Sequence, residues 1–228
     1  MDARKMLARL NPSTQHFEVG SGGIPEFTPS DIAHALGKVR AGIGRSIMCW
    51  VWWPGGADLD ARGLLDAMQS LQLGEYMRRL RVLEAAQLAE HIAAEDADGT
   101  HGRMHGTLAR ARGEVEAAKA SCWPRIGPQS LYLAIRKCVL AELRMPHLCA
   151  TCAGRGSVQI EARVLVCSGC RGSGRQSISD RRRAEVLERS LATYQYAWQR
   201  PYEWLLNHCA QEEREAARQL GTRLGLTG

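Results

Sequence analysis

No stretch of this sequence is apolar for long enough to cross a bilayer. The longest apolar run, Ile47 to Trp53, falls far short of the roughly 20 residues that a membrane helix needs. The N-terminal MDARKMLARL lacks both the continuous apolar segment and the small-residue cleavage site of a secretory signal. No membrane partner and a cytoplasmic location are therefore expected. The signatures of common catalytic sites are missing as well: there is no phosphate-binding P-loop, no HExxH, no GxSxG and no dinucleotide fingerprint next to a strand. Gly20-x-Gly22-Gly23 and Gly42-x-Gly44 are too short for a nucleotide loop, and His101 and His105, spaced i, i+4, are read as surface residues of a Gly-containing loop. The chain is not expected to be an enzyme. Aromatics are scarce at 6%, yet six of them are Trp. Three fall in Trp50-Val51-Trp52-Trp53, either as a core anchor or as an exposed contact.

What is present bounds the fold. A chain of 228 residues with 45% apolar content can bury a core as one domain or one and a half. The formal charge of +6 suits a polyanionic partner. Residues 1–30, rich in turn formers, read as a poorly ordered tail. Residues 31–125 read as a helical region, beginning after a cap at Thr28 or Ser30. Helices are expected from Asp58 to Asp96, as two pieces broken near Leu73-Gly74, then from Thr107 to Ala120. Residues 126–228 read as a second region: a helix from Gln129 to Leu143, a cysteine segment, a basic helix from Ser179 to Leu191, and a last helix from Pro201 to Leu224. The last helix carries an apolar stripe of Tyr202, Leu205, Cys209, Ala216 and Leu220. The fold class expected is mainly α, a helical core with an inserted β-hairpin.

The cysteine segment holds the sharpest motif. Cys149-Ala-Thr-Cys152-Ala-Gly154-Arg-Gly156 and Cys167-Ser-Gly-Cys170-Arg-Gly172-Ser-Gly174 are the same CxxCxGxG unit twice, with 14 residues between the inner cysteines. In a reducing compartment such pairs ligate metal rather than form disulfides. Four thiolates make a closed tetrahedral shell for one structural zinc and leave no position for a catalytic water. Glycines allow the chain to curl around the sulfurs at positive φ and to aim amide N–H groups at them. Between the pairs, Val158, Ile160, Ala162, Val164 and Val166 alternate with polar residues, as on one face of a strand, so a β-hairpin clamped by zinc is expected. His147 is read as a loop residue, and Cys138 and Cys209 as small core residues.

Basic charge gathers around this motif. From Arg144 to Arg189 there are nine Arg against four acids, a net +5 beside the chain's +6. Arg171 and Arg175 follow the second cysteine pair, and Ser179 caps a helix carrying Arg181, Arg182, Arg183 and Arg189. Its apolar back is expected to be Ala184, Leu187 and Leu191. An Arg-rich helix on a rigid support suits the DNA major groove, so these seven residues are the candidate contacts to double-stranded DNA. Loss of zinc is expected to unfold the hairpin and misplace this helix.

Two CxxCxGxG units resemble the cysteine-rich region of DnaJ cochaperones, which carries four units and two zincs; the His-Pro-Asp of a J-domain is absent. A closer resemblance is to the Q antitermination proteins of lambda-like phages, small basic helical proteins with two such units around a β-hairpin. The likeness continues through Ser177 to Leu191, Trp198, Arg200-Pro201-Tyr202, Leu205, Cys209, Glu212 or Glu213, and Ala216 to Leu220. A weaker likeness runs from Thr28 through Asp31-Ile32-Ala33 to Gly44, while residues 50–125 match little. The resemblance implies a phage or prophage transcription factor that binds DNA near a late promoter. It would load onto RNA polymerase holoenzyme, touching polymerase and sigma factor, and make the enzyme read through pauses and terminators. It also implies that a helix-turn-helix-like reader is built from the helices at Gln129–Leu143 and Ser179–Leu191. A zinc-dependent DNA-binding repressor or activator, and a DnaJ-like module binding polypeptide, are the alternatives.

Overall fold

The computed structural model describes residues 3–7, 10, 27–53, 61–99, 105–124, 129–144, 149, 151–152, 157–160, 163–172 and 178–226. Over these residues the chain is mainly helical, with one two-stranded antiparallel sheet. None of its described helices is long and apolar enough to cross a membrane. The helices are α1 (Ala3–Leu7), α2 (Pro29–Gly37), α3 (Ile43–Trp52), α4 (Ala61–Gly99), α5 (His105–Ser121), α6 (Gln129–Arg144), α7 (Asp180–Val186), α8 (Leu191–Thr193) and α9 (Gln199–Arg223); a π-helical turn, Tyr194–Trp198, joins the last two.

The start of α2 shows why the chain turns helical there. The Thr28 hydroxyl accepts from the Asp31 amide at 3.2 Å, and the Thr28 amide donates back to the Asp31 carboxylate at 2.9 Å. This reciprocal box satisfies two backbone donors that the first turn leaves open. The same Thr28 contact holds the Asp31 carboxyl below its usual range.

Helix α9 is the shared wall of two cores. Its stripe divides along its length: Tyr202, Leu205 and Cys209 meet Ile47 of α3, Met68 of α4 and Ile135 and Leu143 of α6. Ala216 and Leu220 meet Met6 and Leu7 of α1, Ile32 and Leu36 of α2 and Met48 of α3. The expected stripe is thus buried throughout. The core also crosses the expected division between residues 125 and 126, because α3 and α4 pack with α6 and α9. Between the two cores, Glu213 is 1% exposed. It accepts from the Trp52 indole at 2.9 Å and faces Arg4 of α1 at 3.8 Å.

Three expectations are corrected. The break near Leu73-Gly74 is absent, and α4 runs unbroken for 39 residues, about 58 Å. A mid-helix glycine costs only about 1 kcal/mol, which the flanking contacts offset: Tyr76 packs on the first core, and Gln72 accepts from Arg136 of α6 at 2.9 Å. Helix α5 returns along α4, with Arg112 facing Glu90 at 3.5 Å and Arg79 donating to the Ser121 carbonyl at 2.6 Å. The helix also continues past Asp96 into the expected loop, where His105 opens α5; His101 lies outside the described residues. The expected N-terminal tail is helical at Ala3–Leu7, because Met6 and Leu7 find apolar surface on α9 and α3.

The Trp run is divided among tasks. Trp50, half-buried, packs on the first core with Arg144 over its ring at 5.4 Å. Trp52 and Trp53 pack on the second, with Arg4 over Trp52 at 5.5 Å. Where α3 crosses α9, Gly44 lies so close that an added Cβ would stand 2.2 Å from the Glu212 carbonyl oxygen. Gly44→Ala must push the two helices apart and is expected to cost about 2–3 kcal/mol in urea unfolding. An unchanged midpoint would show that the crossing is looser than described.

Candidate metal centre

Four sulfurs converge at the base of the hairpin. The Sγ atoms of Cys149, Cys152, Cys167 and Cys170 all lie within 4.8 Å of one another, and all four residues are buried. Cys149 and Cys167 are 3.8 Å apart, and Cys152 and Cys170 are 3.6 Å apart. A tetrahedral ion with metal–sulfur bonds of about 2.3 Å sets its sulfurs about 3.8 Å apart. The separations fit, and the four side chains together could hold one metal ion. The Cys149 thiol is pulled down to about 6, by the Cys152 amide first and then by the Thr151 amide and the Cys167 thiol, against the effect of burial. A thiolate is the form that ligates.

Local backbone geometry explains the glycines. Gly172 sits at φ 85° and Arg171 at φ 51°, and the Gly172 amide donates to the Cys167 carbonyl at 3.3 Å. This left-handed pair closes the second turn around the sulfurs. Gly169 is needed for space: a Cβ there would meet the Thr151 hydroxyl oxygen at 2.9 Å and the Cys149 sulfur at 3.5 Å. Gly154, Gly156, Gly174 and His147 lie outside the described residues. Arg214 of α9 donates to the Gly172 carbonyl at 3.4 Å, which ties this turn to the helical body.

Strands β1 (Ser157–Ile160) and β2 (Arg163–Val166) pair antiparallel with Ser157 opposite Val166 and Val158 opposite Leu165. This register corrects the single apolar face expected from the alternation. Partner numbers sum to an odd value, so even-numbered residues on the two strands take opposite faces. Val158 packs against the cysteines, while Val164 and Val166 turn to the other face and are 72% and 71% exposed. Ala162 lies outside the described residues.

The basic helix is present but shorter than expected. The Ser179 hydroxyl accepts from the Arg182 amide at 3.3 Å and caps α7, so Ser179 has a structural task at the candidate interface. The helix ends at Val186, with Glu188 at φ 54°, and a second cap at Ser190 starts α8. Leu191 therefore lies past the end and is exposed, and the inward face is Arg183, Ala184 and Leu187.

Arg183 is the main correction among the candidate DNA contacts. It is 7% exposed and clamps the Glu142 carboxylate of α6 with two nitrogens, at 2.7 and 3.1 Å. Its guanidinium lies 5.1 Å over the Tyr202 ring, and the Tyr202 hydroxyl donates to Glu142 at 2.7 Å. Burial opposes the charge on Arg183, and Glu142 more than offsets it. The physical reason is angular. Successive helical residues turn by about 100°, so three consecutive Arg spread over about 200°, and the buried face that holds Ala184 and Leu187 takes in Arg183. Arg181, Arg182 and Arg189 do face solvent, as does Arg171, and Arg175 lies outside the described residues. Arg181 and Arg182 both reach Glu185, at 3.4 and 3.5 Å.

Glu142 and Arg214 were missed from the sequence. Glu142 did carry a signal, as the one acid in the stretch that became α6. Cys49 and Cys209 are buried in the cores and Cys138 packs half-buried against the first: burial pushes the Cys209 thiol up to about 12 and raises those of Cys138 and Cys49.

Cys152→Ser removes one of the four sulfurs and is expected to abolish metal retention, read as metal content per purified chain. Far-ultraviolet circular dichroism should keep its helical signal, because both helical cores lie outside the cysteine cluster. A variant retaining its full metal content would contradict the four-cysteine site. No family model, curated protein or solved structure matches this chain.

Proposed function

We propose that the chain is a transcription antitermination factor of phage or prophage type, acting in the cytoplasm of a bacterial host. It binds double-stranded DNA near a late promoter and accompanies RNA polymerase holoenzyme through pauses and terminators. The observation that carries this reading is the pairing of a closed four-cysteine cluster with exposed Arg171, Arg181, Arg182 and Arg189 on and beside it. The ion is zinc: four thiolates at these spacings suit its tetrahedral preference, and a set without oxygen ligands disfavours magnesium, calcium and manganese. The zinc is structural, and the protein itself makes and breaks no bond.

The DNA reader is α7, with α6 behind it as the supporting helix of a helix-turn-helix-like pair. Arg183 is not among its contacts; its pairing with Glu142 fixes which way Arg181 and Arg182 point. The step from DNA binding to antitermination rests on the resemblance carried by the two cysteine units and by Ser177 to Leu220. Polymerase and sigma factor are the partners it brings.

A second reading has an observation of its own. Val164, Leu165 and Val166 are exposed along β2, and an apolar strand on a zinc hairpin suits binding to polypeptide, as in the DnaJ-like alternative. Salt separates the two, because phosphate contacts release counterions and apolar contacts do not.

Arg181→Ala and Arg182→Ala are each expected to weaken DNA binding and to lower the slope of log affinity against log salt by about 1. Arg183→Met is expected instead to lower stability by about 3–5 kcal/mol, because it leaves the Glu142 carboxylate buried without its partner. Unchanged affinity and slope in both exposed variants would remove α7 from the interface. Antitermination itself is tested by transcription in vitro through a terminator placed after the phage's own late promoter. Added protein should raise read-through and co-purify with polymerase. DNA binding with neither effect would leave a repressor or activator in its place.

A further inference from the structure

A cleft of about 660 Å³ opens between α4 and α6, away from the cysteines and the basic helix. Its floor holds an unusual cation. Arg136 is 6% exposed, and its terminal nitrogens donate to Gln72 at 2.9 Å and Gln69 at 3.1 Å. Both acceptors are neutral, and no described carboxylate forms an ion pair with the guanidinium. Two of its five N–H groups are so used, and its Nε has no partner. Gln72, 3% exposed, spends its oxygen on Arg136, and its amide nitrogen is also without a partner. A buried charge lacking a counter-charge is costly, and proteins normally pair it. Burial accordingly draws the Arg136 guanidinium below its ordinary range, with Asp66 as the opposing influence.

The rim sets the character of the missing group. Among the described lining residues, Arg62 and Lys137 stand there with one acid, Asp66. Beside these and the two glutamines, the described lining is Leu65, Leu73, Leu133 and Tyr132, and Leu73 is 48% exposed. We propose that this cleft receives a carboxylate side chain of a partner polypeptide, with a neighbouring apolar side chain of that polypeptide seated on Leu65, Leu73 and Leu133. Charge complementarity selects the acid, and the apolar walls select a peptide over a nucleic acid. Duplex phosphates are strongly hydrated and are met by exposed cations on open surface, whereas a cleft of this size takes a few side chains. The inference stands apart from DNA binding by α7.

The test uses the full zinc-loaded chain and a short fluorescein-labelled peptide of alternating Asp and Leu, read by anisotropy. Binding is expected, and the matching Asn and Leu peptide should bind at least about tenfold more weakly, the scale of a charge-assisted hydrogen bond. Arg136→Gln should lose binding to the Asp peptide by a similar factor, keep its affinity for duplex DNA, and melt no earlier than the parent chain. Asp66→Asn, which removes the competing carboxylate, should tighten peptide binding, and it decides the matter if Arg136→Gln does not fold. No binding of the Asp peptide, equal binding of both peptides, or an Asp66→Asn variant of unchanged affinity would overturn the proposal. So would a loss of DNA affinity in Arg136→Gln with peptide binding intact, which would make the cleft a phosphate site.

Discussion

One amphipathic helix constrains everything else in this chain. Over its 25 residues α9 buries Tyr202, Leu205 and Cys209 in one core and Ala216 and Leu220 in another. Each core is built from segments distant in sequence, and α9 runs through both; α3 also contributes to each, with Ile47 in the first and Met48 in the second. The same helix reaches both parts of the candidate interface. Tyr202 lies under Arg183 of α7, and Arg214 bonds the turn that follows Cys170. These two anchor points are 12 residues apart in sequence, about 18 Å along the helix axis. A single rigid element thus spaces the basic helix from the cysteine cluster.

This arrangement separates two tasks for arginine that sequence alone cannot tell apart. A guanidinium is long enough either to lie in solvent or to fold back onto an aromatic ring. Arg183 does the second and pairs with Glu142, while its neighbours Arg181 and Arg182 do the first. Buried ion pairs add little net stability compared with apolar packing, but breaking one is expensive. Their value here is directional. A seven-residue helix has too little apolar surface to fix its own rotation, and the bidentate Glu142 contact fixes it. The four-cysteine cluster solves the same problem for strands of four residues each, whose β2 is exposed along its length. Such a hairpin is marginal without a clamp.

The sequence was most informative where side-chain chemistry and spacing are local. Two CxxC pairs must place four sulfurs close together once the intervening residues form a hairpin, and they do. The stripe of α9 was legible for a similar reason, since a period of 3.6 residues states which face is buried. Misreadings arose where a local preference met a distant contact. Gly74 looked like a break, but its propensity cost is small beside the packing of Tyr76 and Gln72. Val164 and Val166 looked inward because alternation along one strand does not reveal the register across the pair. Arg183 looked like its neighbours because nothing local marks the carboxylate, 41 residues earlier, that turns it inward. The cleft at Arg136 left no motif at all, since it depends on α4 passing unbroken beside α6.

These contacts also bear on what the proposed zinc would control. From sequence, loss of the ion should displace the basic helix along with the hairpin. With α7 held by Glu142 and Tyr202, the two are separately anchored, and the proposed ion is expected to hold the hairpin alone. Hydrogen–deuterium exchange on zinc-loaded and zinc-stripped protein tests this most directly. The expected result is that amides of β1 and β2 lose protection on zinc removal, while those of α6, α7 and α9 keep it. Loss of protection in α7 together with the hairpin would contradict separate anchoring, and an unchanged hairpin would contradict the metal clamp.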